Sequence, residues 1–432
     1  MRVTESEIQT TIFQVLTDII EEWGDELDEP LNPDTKLVDD IGFSSIDFVQ
    51  FAVAVESRFQ TKLGFQALLM KNGGYVDDLS AQQVSNFVFE RLNQDEDSAK
   101  TDSEMPVQSH SRVESVDDKV TAEAFDEFCR IIRPSKKLPI SPQKNPPAVF
   151  ILSPPRSGST LLRIMLAGSP QLFVPPELHL LSYGDMAERR SILDDEHNSH
   201  LLEGTIRALM QLRNWDAEQA REFASNSESD AMSCIDFYSL LQSDIGDRLL
   251  VDKTPTYAIN TLILDRAEAH FENAKYIHLL RHPCGTIRSY EESKLTRMMP
   301  LMNESDFSSR MLAEMTWLLF HRNILEFFEK VPSQRIHQLK YEELLQHPET
   351  EMRKICDFLS VEFNSDMLDP YQDHKHRMAD GVDTASKMSG DIKFHLHEGI
   401  NTDAAFRWKQ FYSETILGHI TANTARQLGY SI

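Results

Sequence analysis

The residues with the most chemistry to offer lie just after short apolar runs. The run AVFILS (148–153) leads into Pro154-Pro155-Arg156-Ser157-Gly158-Ser159-Thr160 and then into the apolar stretch LLRIMLAG. A strand that turns through such a segment into a helix can aim successive backbone N–H groups at one anion, beside the positive end of the helix dipole. The hydroxyls of Ser157, Ser159 and Thr160 around Gly158 would add hydrogen bonds and Arg156 a fixed charge, so a phosphate-binding loop is predicted. It is not the loop of a kinase or ATPase, which would read GxxxxGK before a Ser or Thr and would need a carboxylate elsewhere for magnesium. Three other runs end in polar residues of the same kind. LLVD (249–252) is followed by Lys253, KYIHLL (275–280) by Arg281, with Ser289 on the stretch beyond, and the segment after the first helix reads Phe173-Val174-Pro175-Pro176-Glu177-Leu178-His179. About two helical turns separate Arg281 from Ser289, so a residue at a strand end and one on the next helix meet only through a particular loop shape.

The elements that must position these groups are short apolar strands alternating with helical stretches: 148–153, 249–252, 275–280 and 335–340. That pattern predicts an α/β domain with a mostly parallel, P-loop-like sheet covered by helices, and in such sheets ligands bind at the carboxyl ends of the strands. The N-terminal quarter reads differently. Ile8, Ile12, Phe13, Val15, Leu16 and Ile19 repeat at helical spacing from about Thr4 to Trp23, a turn-rich loop runs to Ser44-Ser45, a second helix is predicted to start there, and a last one covers 81–92. A small all-α four-helix module is expected over 1–95, with one short helix allowed in between. Residues 96–120 are polar, nearly free of aromatics and expected to be a flexible linker. A short helix over 121–132 opens the second domain, 121–432.

Composition excludes several classes. No apolar run approaches a membrane span, and the N-terminus lacks the basic start and apolar stretch of a signal peptide, so a cytoplasmic protein without membrane contact is expected. Cys129, Cys234, Cys284 and Cys356 are scattered, which argues against a disulfide framework and a zinc site, and no metal is expected. A net charge of -26 makes nucleic-acid binding unfavourable. Residues 1–100 hold twenty Asp/Glu against seven Lys/Arg, a net of -13, which suits docking to basic patches on partner enzymes or simply a solvated acidic surface.

The loop Arg156–Thr160 is similar to the one with which sulfotransferases bind the 5′-phosphosulfate of PAPS. KYIHLLRHPCGTIRSY resembles their 3′-phosphate element, which implies that Arg281 and Ser289 hold that phosphate, with Arg288 able to share. RIHQLKYEELLQHPETEMRKICDFLSVEF resembles a late, architectural element of the same family. The resemblance spans roughly 146–430 and implies PAPS as donor and PAP as product. Sulfuryl transfer builds charge on the equatorial and leaving oxygens, so positioned cations matter most. By the resemblance, Arg156 faces the bridging oxygen and Lys253 the sulfuryl group. The family's tyrosine- and glycan-modifying members place a glutamate near Glu177, which is expected to act as general base, with a pKa raised in a partly apolar pocket, and with His179 as its partner or substitute. His278 and His282 lie close enough to the nucleotide motif to compete. Lys387, Lys393, Arg407 and Trp408 are expected to close over the cofactor, the tryptophan by stacking on adenine.

The segment Asp40-Ile41-Gly42-Phe43-Ser44-Ser45-Ile46-Asp47 resembles the acyl carrier protein motif, which implies that Ser45 receives 4′-phosphopantetheine from a phosphopantetheinyl transferase. Ser44 stands where that family has Asp. A carrier joined to a sulfotransferase resembles the pair found in cyanobacterial polyketide and olefin synthases. That implies sulfonation of a carrier-bound β-hydroxyacyl chain in polyketide or fatty-acid-like biosynthesis, beside synthase partner enzymes. In that pair sulfonation makes a leaving group and a following thioesterase releases a terminal alkene; no such segment is evident before Ile432, so that step would fall to a separate chain, or the sulfate stays on the product. A sulfotransferase acting on a free small molecule and a noncatalytic docking protein remain as alternatives.

Overall fold

The periodic apolar positions near the N-terminus become one face of a helix. In the computed structural model Glu5–Trp23 is helical, and Ile8, Ile12, Val15 and Leu16 are buried in one core with Val84 and Val88 of the helix Ala81–Asn93. Phe43, Phe51 and Phe65 fill the same core, with Phe51 edge-on to Phe43 at 5.8 Å. An all-α module needs one correction. Met70–Lys71 (β1) and Gly74–Tyr75 (β2) form a short antiparallel pair, with Met70 opposite Tyr75 and Lys71 opposite Gly74. The two residues between them in sequence are Asn72 and Gly73, the dipeptide that favours such a reversal.

The structure describes residues 4–23, 30–37, 40–41, 43, 51–93 with gaps, 119–132, 136–138, 143–194, 199–293, 307–373, 375–379, 382 and 399–432. Ser45, the start of the second helix, the linker as far as 118, Lys387 and Lys393 lie outside the described residues. The chain forms two units, Met1–Val113 and Glu114–Ile432. Among the described residues no helix is long and apolar enough to cross a membrane, and no cluster of His, Cys, Asp or Glu could hold a metal ion.

The larger unit opens with the helix Ala122–Ile131, capped by the Thr121 side chain. Its sheet comprises Ala148–Leu152 (β3), Leu172–Phe173 (β4), Leu249–Asp252 (β5), Lys275–Leu280 (β6) and Ile336–Lys340 (β7). The strands run parallel in the order β4-β5-β3-β6-β7, so the chain leaves the central β3 toward one edge and later crosses to the other. All five residues of β3 are buried because both faces of the sheet are covered. Phe150 meets Phe271 and Tyr276 on one face, with ring centroids at 5.2 and 6.1 Å, while Val149 and Ile151 join Ile277, Leu279 and Val251 on the other. Burying one such ring contributes about 2–3 kcal/mol. The strand β4 has only two residues, too few to leave a periodic signal in the sequence.

Register decides where the chemistry lands. Phe150 lies opposite Asp252, Leu152 opposite His278, and Phe173 opposite Leu250. The segments that follow β4, β5, β3 and β6 therefore emerge along one edge of the sheet, the edge at which open parallel sheets bind ligands.

Candidate active site

The loop after β3 enters the helix Ser159–Leu166 through an unusual backbone. Arg156 has φ 62° and Gly158, the N-cap, φ 87°, and Gly158 offers no side chain to cap the helix. The first helical N–H groups are thereby left to an external partner, and the fully buried Ser157 Oγ has none within the protein among the described residues. Both features fit an anion held by this turn.

The loop after β6 closes on the same point. Arg281 donates from Nη1 to the Arg156 carbonyl oxygen at 2.7 Å, and Arg156 Nε donates to Ser289 Oγ at 3.1 Å. Ser289 stands on the helix Pro283–Ser293. Arg156, Arg281 and Ser289 are thus brought together. Arg281 Nε is buried and without a partner among the described residues, a second donor suited to an anion. Arg288 instead lies over the Phe411 ring at 4.0 Å and 3.9 Å from Glu291.

The segment with the architectural resemblance also contributes a residue here. Tyr341, the first residue after β7, lies under the Arg281 guanidinium at 4.6 Å, and a Cβ on Gly158 would fall 2.3 Å from its ring. Its position directly after a strand, shared with Lys253 and Arg281, was the available signal.

On the β4 and β5 side, Glu177 lies in a loop, 17% exposed, and takes an ion pair and hydrogen bond from the buried Lys253. His179 Nε2 is 3.4 Å from the other carboxylate oxygen, and its Nδ1 is 3.4 Å from Thr256 Oγ1. The expected raised pKa is corrected. Burial does push the Glu177 carboxyl up, but Lys253 and then His179 outweigh it and bring it down to about 2. Lys253 comes from a point seventy-six residues away in sequence, a proximity no local pattern reveals. Gly204 supports the same loop from behind, since a Cβ there would sit 2.0 Å from the Glu177 carbonyl oxygen.

The other candidates make contacts of their own. Buried His278 shares a 3.0 Å hydrogen bond with His321, and burial pushes it down to about 3. His282 is likewise held down to about 3, by burial and then Lys409, with its ring flat against Trp408 at 4.1 Å. Trp408 is 4% exposed with one face on His282, so it serves as packing rather than as an open platform for adenine. Arg407 beside it is exposed.

Comparisons agree with this layout. Residues 147–365 match the sulfotransferase family, and residues 15–73 match the phosphopantetheine attachment site, which makes the N-terminal unit a phosphopantetheine-binding domain. A sulfotransferase domain from the curacin biosynthetic pathway is 40% identical and superposes with a TM-score of 0.62, covering 67% of this chain and 100% of that one. The sulfotransferase domain of the Synechococcus PCC 7002 olefin synthase is 36% identical with a TM-score of 0.61, covering 69% and 100%. Protein-tyrosine sulfotransferase A of Caenorhabditis elegans is 24% identical over 295 residues, 66% of this chain and 67% of that protein.

Proposed function

The chain belongs to the sulfotransferase family, whose usual sulfuryl donor is PAPS, and from that premise we propose that its acceptor is the β-hydroxyl of an acyl chain held on phosphopantetheine at Ser45. The observation that carries the reading is the meeting of Arg156, Arg281 and Ser289 on the same sheet edge as the Glu177–Lys253 pair. PAPS supplies an activated sulfuryl group on its 5′-phosphosulfate. Arg281 and Ser289 hold the 3′-phosphate. Arg156 neutralises the charge that builds on the bridging oxygen as its bond to sulfur breaks and PAP departs. The acceptor oxygen forms the new bond to sulfur, and as that bond makes the hydroxyl strongly acidic its proton passes to Glu177, which Lys253 keeps ionised. His179 is the second proton acceptor within reach.

Two observations support a tethered acceptor. The phosphopantetheine-binding domain is part of the same chain, which raises the concentration of cargo at the site. The two solved domains at 40% and 36% identity come from the curacin pathway and an olefin synthase. Synthase enzymes that build the acyl chain are the partners this reading requires, and four unpaired cysteines agree with a reducing, cytoplasmic setting.

The test is intact-mass analysis of the full chain after loading with β-hydroxyoctanoyl-pantetheine and addition of PAPS. The carrier should gain the mass of one sulfuryl group, and the Ser45→Ala chain should not load at all. Sulfation of free hydroxyl compounds alone, or PAP binding without any transfer, would overturn the reading.

A further inference from the structure

The loop that carries Glu177 and His179 is not part of the sheet, and His179 has φ 49°, a left-handed conformation that costs a non-glycine residue free energy unless its surroundings hold it. Side chains do the holding. Thr254 Oγ1 accepts the N–H groups of Leu178 and His179 at 3.2 and 3.4 Å, and Tyr257 OH accepts those of Leu180 and Leu181 at 3.1 and 3.3 Å. Arg189 Nε donates to the Leu178 carbonyl at 3.1 Å, and Arg266 Nη1 to that of Leu181 at 2.8 Å. Four consecutive N–H groups thus depend on two hydroxyl oxygens, both from the segment after β5.

Each hydroxyl has one proton, so it can serve the loop as an acceptor only if that proton points elsewhere. Asp252 is the acceptor for both, and Tyr257 OH also lies 3.0 Å from Tyr238 OH, which shares the same Asp252 oxygen. Thr254 Oγ1 donates to Oδ1 at 2.9 Å and Tyr257 OH to Oδ2 at 2.9 Å, and Tyr238 OH donates to Oδ2 as well. Asp252 is fully buried, the last residue of β5 and the neighbour of Lys253. Its two oxygens receive three hydroxyl donors, an arrangement suited to a carboxylate and not to an amide, which would donate to one of them and reverse that hydroxyl.

We propose that Asp252 is a positioning residue for the acceptor side of the reaction: by fixing the direction of the Thr254 and Tyr257 hydroxyls it holds 178–181 in place and keeps Glu177 and His179 aimed at the acceptor hydroxyl. The proposal rests on the roles given above to Glu177 and His179. It also separates the two halves of the site. Nothing in this network touches Arg156, Arg281 or Ser289 in the hydrogen bonds among the described residues, so nucleotide binding should survive its loss.

The test measures, on the β-hydroxyoctanoyl-loaded full chain with saturating PAPS, the single-turnover rate of sulfuryl transfer, and separately the Kd of PAP by calorimetry. Asp252→Asn, Thr254→Val and Tyr257→Phe should each slow transfer by about tenfold to a hundredfold, the range a small misplacement of a reacting group produces, with the Kd of PAP within about twofold. Thr254→Ser keeps the hydroxyl and should restore the rate. Full rates in Thr254→Val and Tyr257→Phe, whatever their melting temperatures, overturn the proposal. So does a loss of PAP binding in step with rate, which would assign the network to the fold as a whole. Glu177→Gln gives the separate check: a full rate there would sink the reading of Glu177 and the proposal with it, whereas a slow Glu177→Gln beside a fast Thr254→Val would sink the proposal alone.

Discussion

Arg156 Nε and Ser289 Oγ are joined by a 3.1 Å hydrogen bond across 133 residues of sequence. The phosphate loop and the helix after β6 are therefore locked together, and Arg281 adds a second tie through the Arg156 carbonyl. Under the proposed function this side of the site is a built cradle of two strand ends, which limits the ordering cost of nucleotide binding.

Ser289→Ala tests that cradle with the smallest change. A hydrogen bond to a charged group is worth about 1.5–3 kcal/mol, so the Kd of PAP by calorimetry should rise at least about tenfold. Arg281→Ala should cost more, since it also uncovers Tyr341 and frees the Arg156 carbonyl. Unchanged affinity in Ser289→Ala would remove Ser289 from the nucleotide site.

Gly158→Ala meets two obstacles. The φ of 87° is strained for alanine, and the new Cβ would fall 2.3 Å from Tyr341 Cδ2, on a ring that also carries the Arg281 guanidinium at 4.6 Å. A loss of about 2–4 kcal/mol in urea unfolding is expected. Tyr341→Ala in the same chain should recover part of it, and strictly additive losses would show that the ring is not the obstacle.

The strands and their post-strand residues were legible because apolar runs and polar ends are local patterns. The separation of Arg281 from Ser289 was legible for the same reason. What lay hidden was set by register. That β4 exists, that Lys253 reaches Glu177, and that Tyr341 backs Gly158 all follow from the order β4-β5-β3-β6-β7, in which neighbours in space are far apart in sequence. The pKa of Glu177 was misjudged on that account: burial was foreseen, but the cation that overrides it was not. Trp408 was misread because an aromatic beside basic residues looks alike whether it faces a ligand or packs on a histidine.

The Glu177–Lys253 pair predicts a pH dependence with a definite sign. The folded pKa of Glu177, about 2, lies below its ordinary 4.5, so the pair contributes stability that is fully present above the ordinary value and is lost as pH falls through the folded one. Lys253→Met keeps the burial, which raises the pKa, and removes the largest opposing charge, so this contribution disappears in the variant. Burial also holds the Lys253 ammonium below its usual range, a cost that methionine removes, so the check is the pH dependence of the stability gap between the two proteins in urea unfolding and not its size at one pH. The unmodified protein should lose stability relative to the variant as pH is lowered from about 4.5 toward 3, because only it has the Glu177 contribution to lose. A gap that stays constant over that range would show that Glu177 is not held ionised by Lys253, and the proton acceptor would then have to be His179.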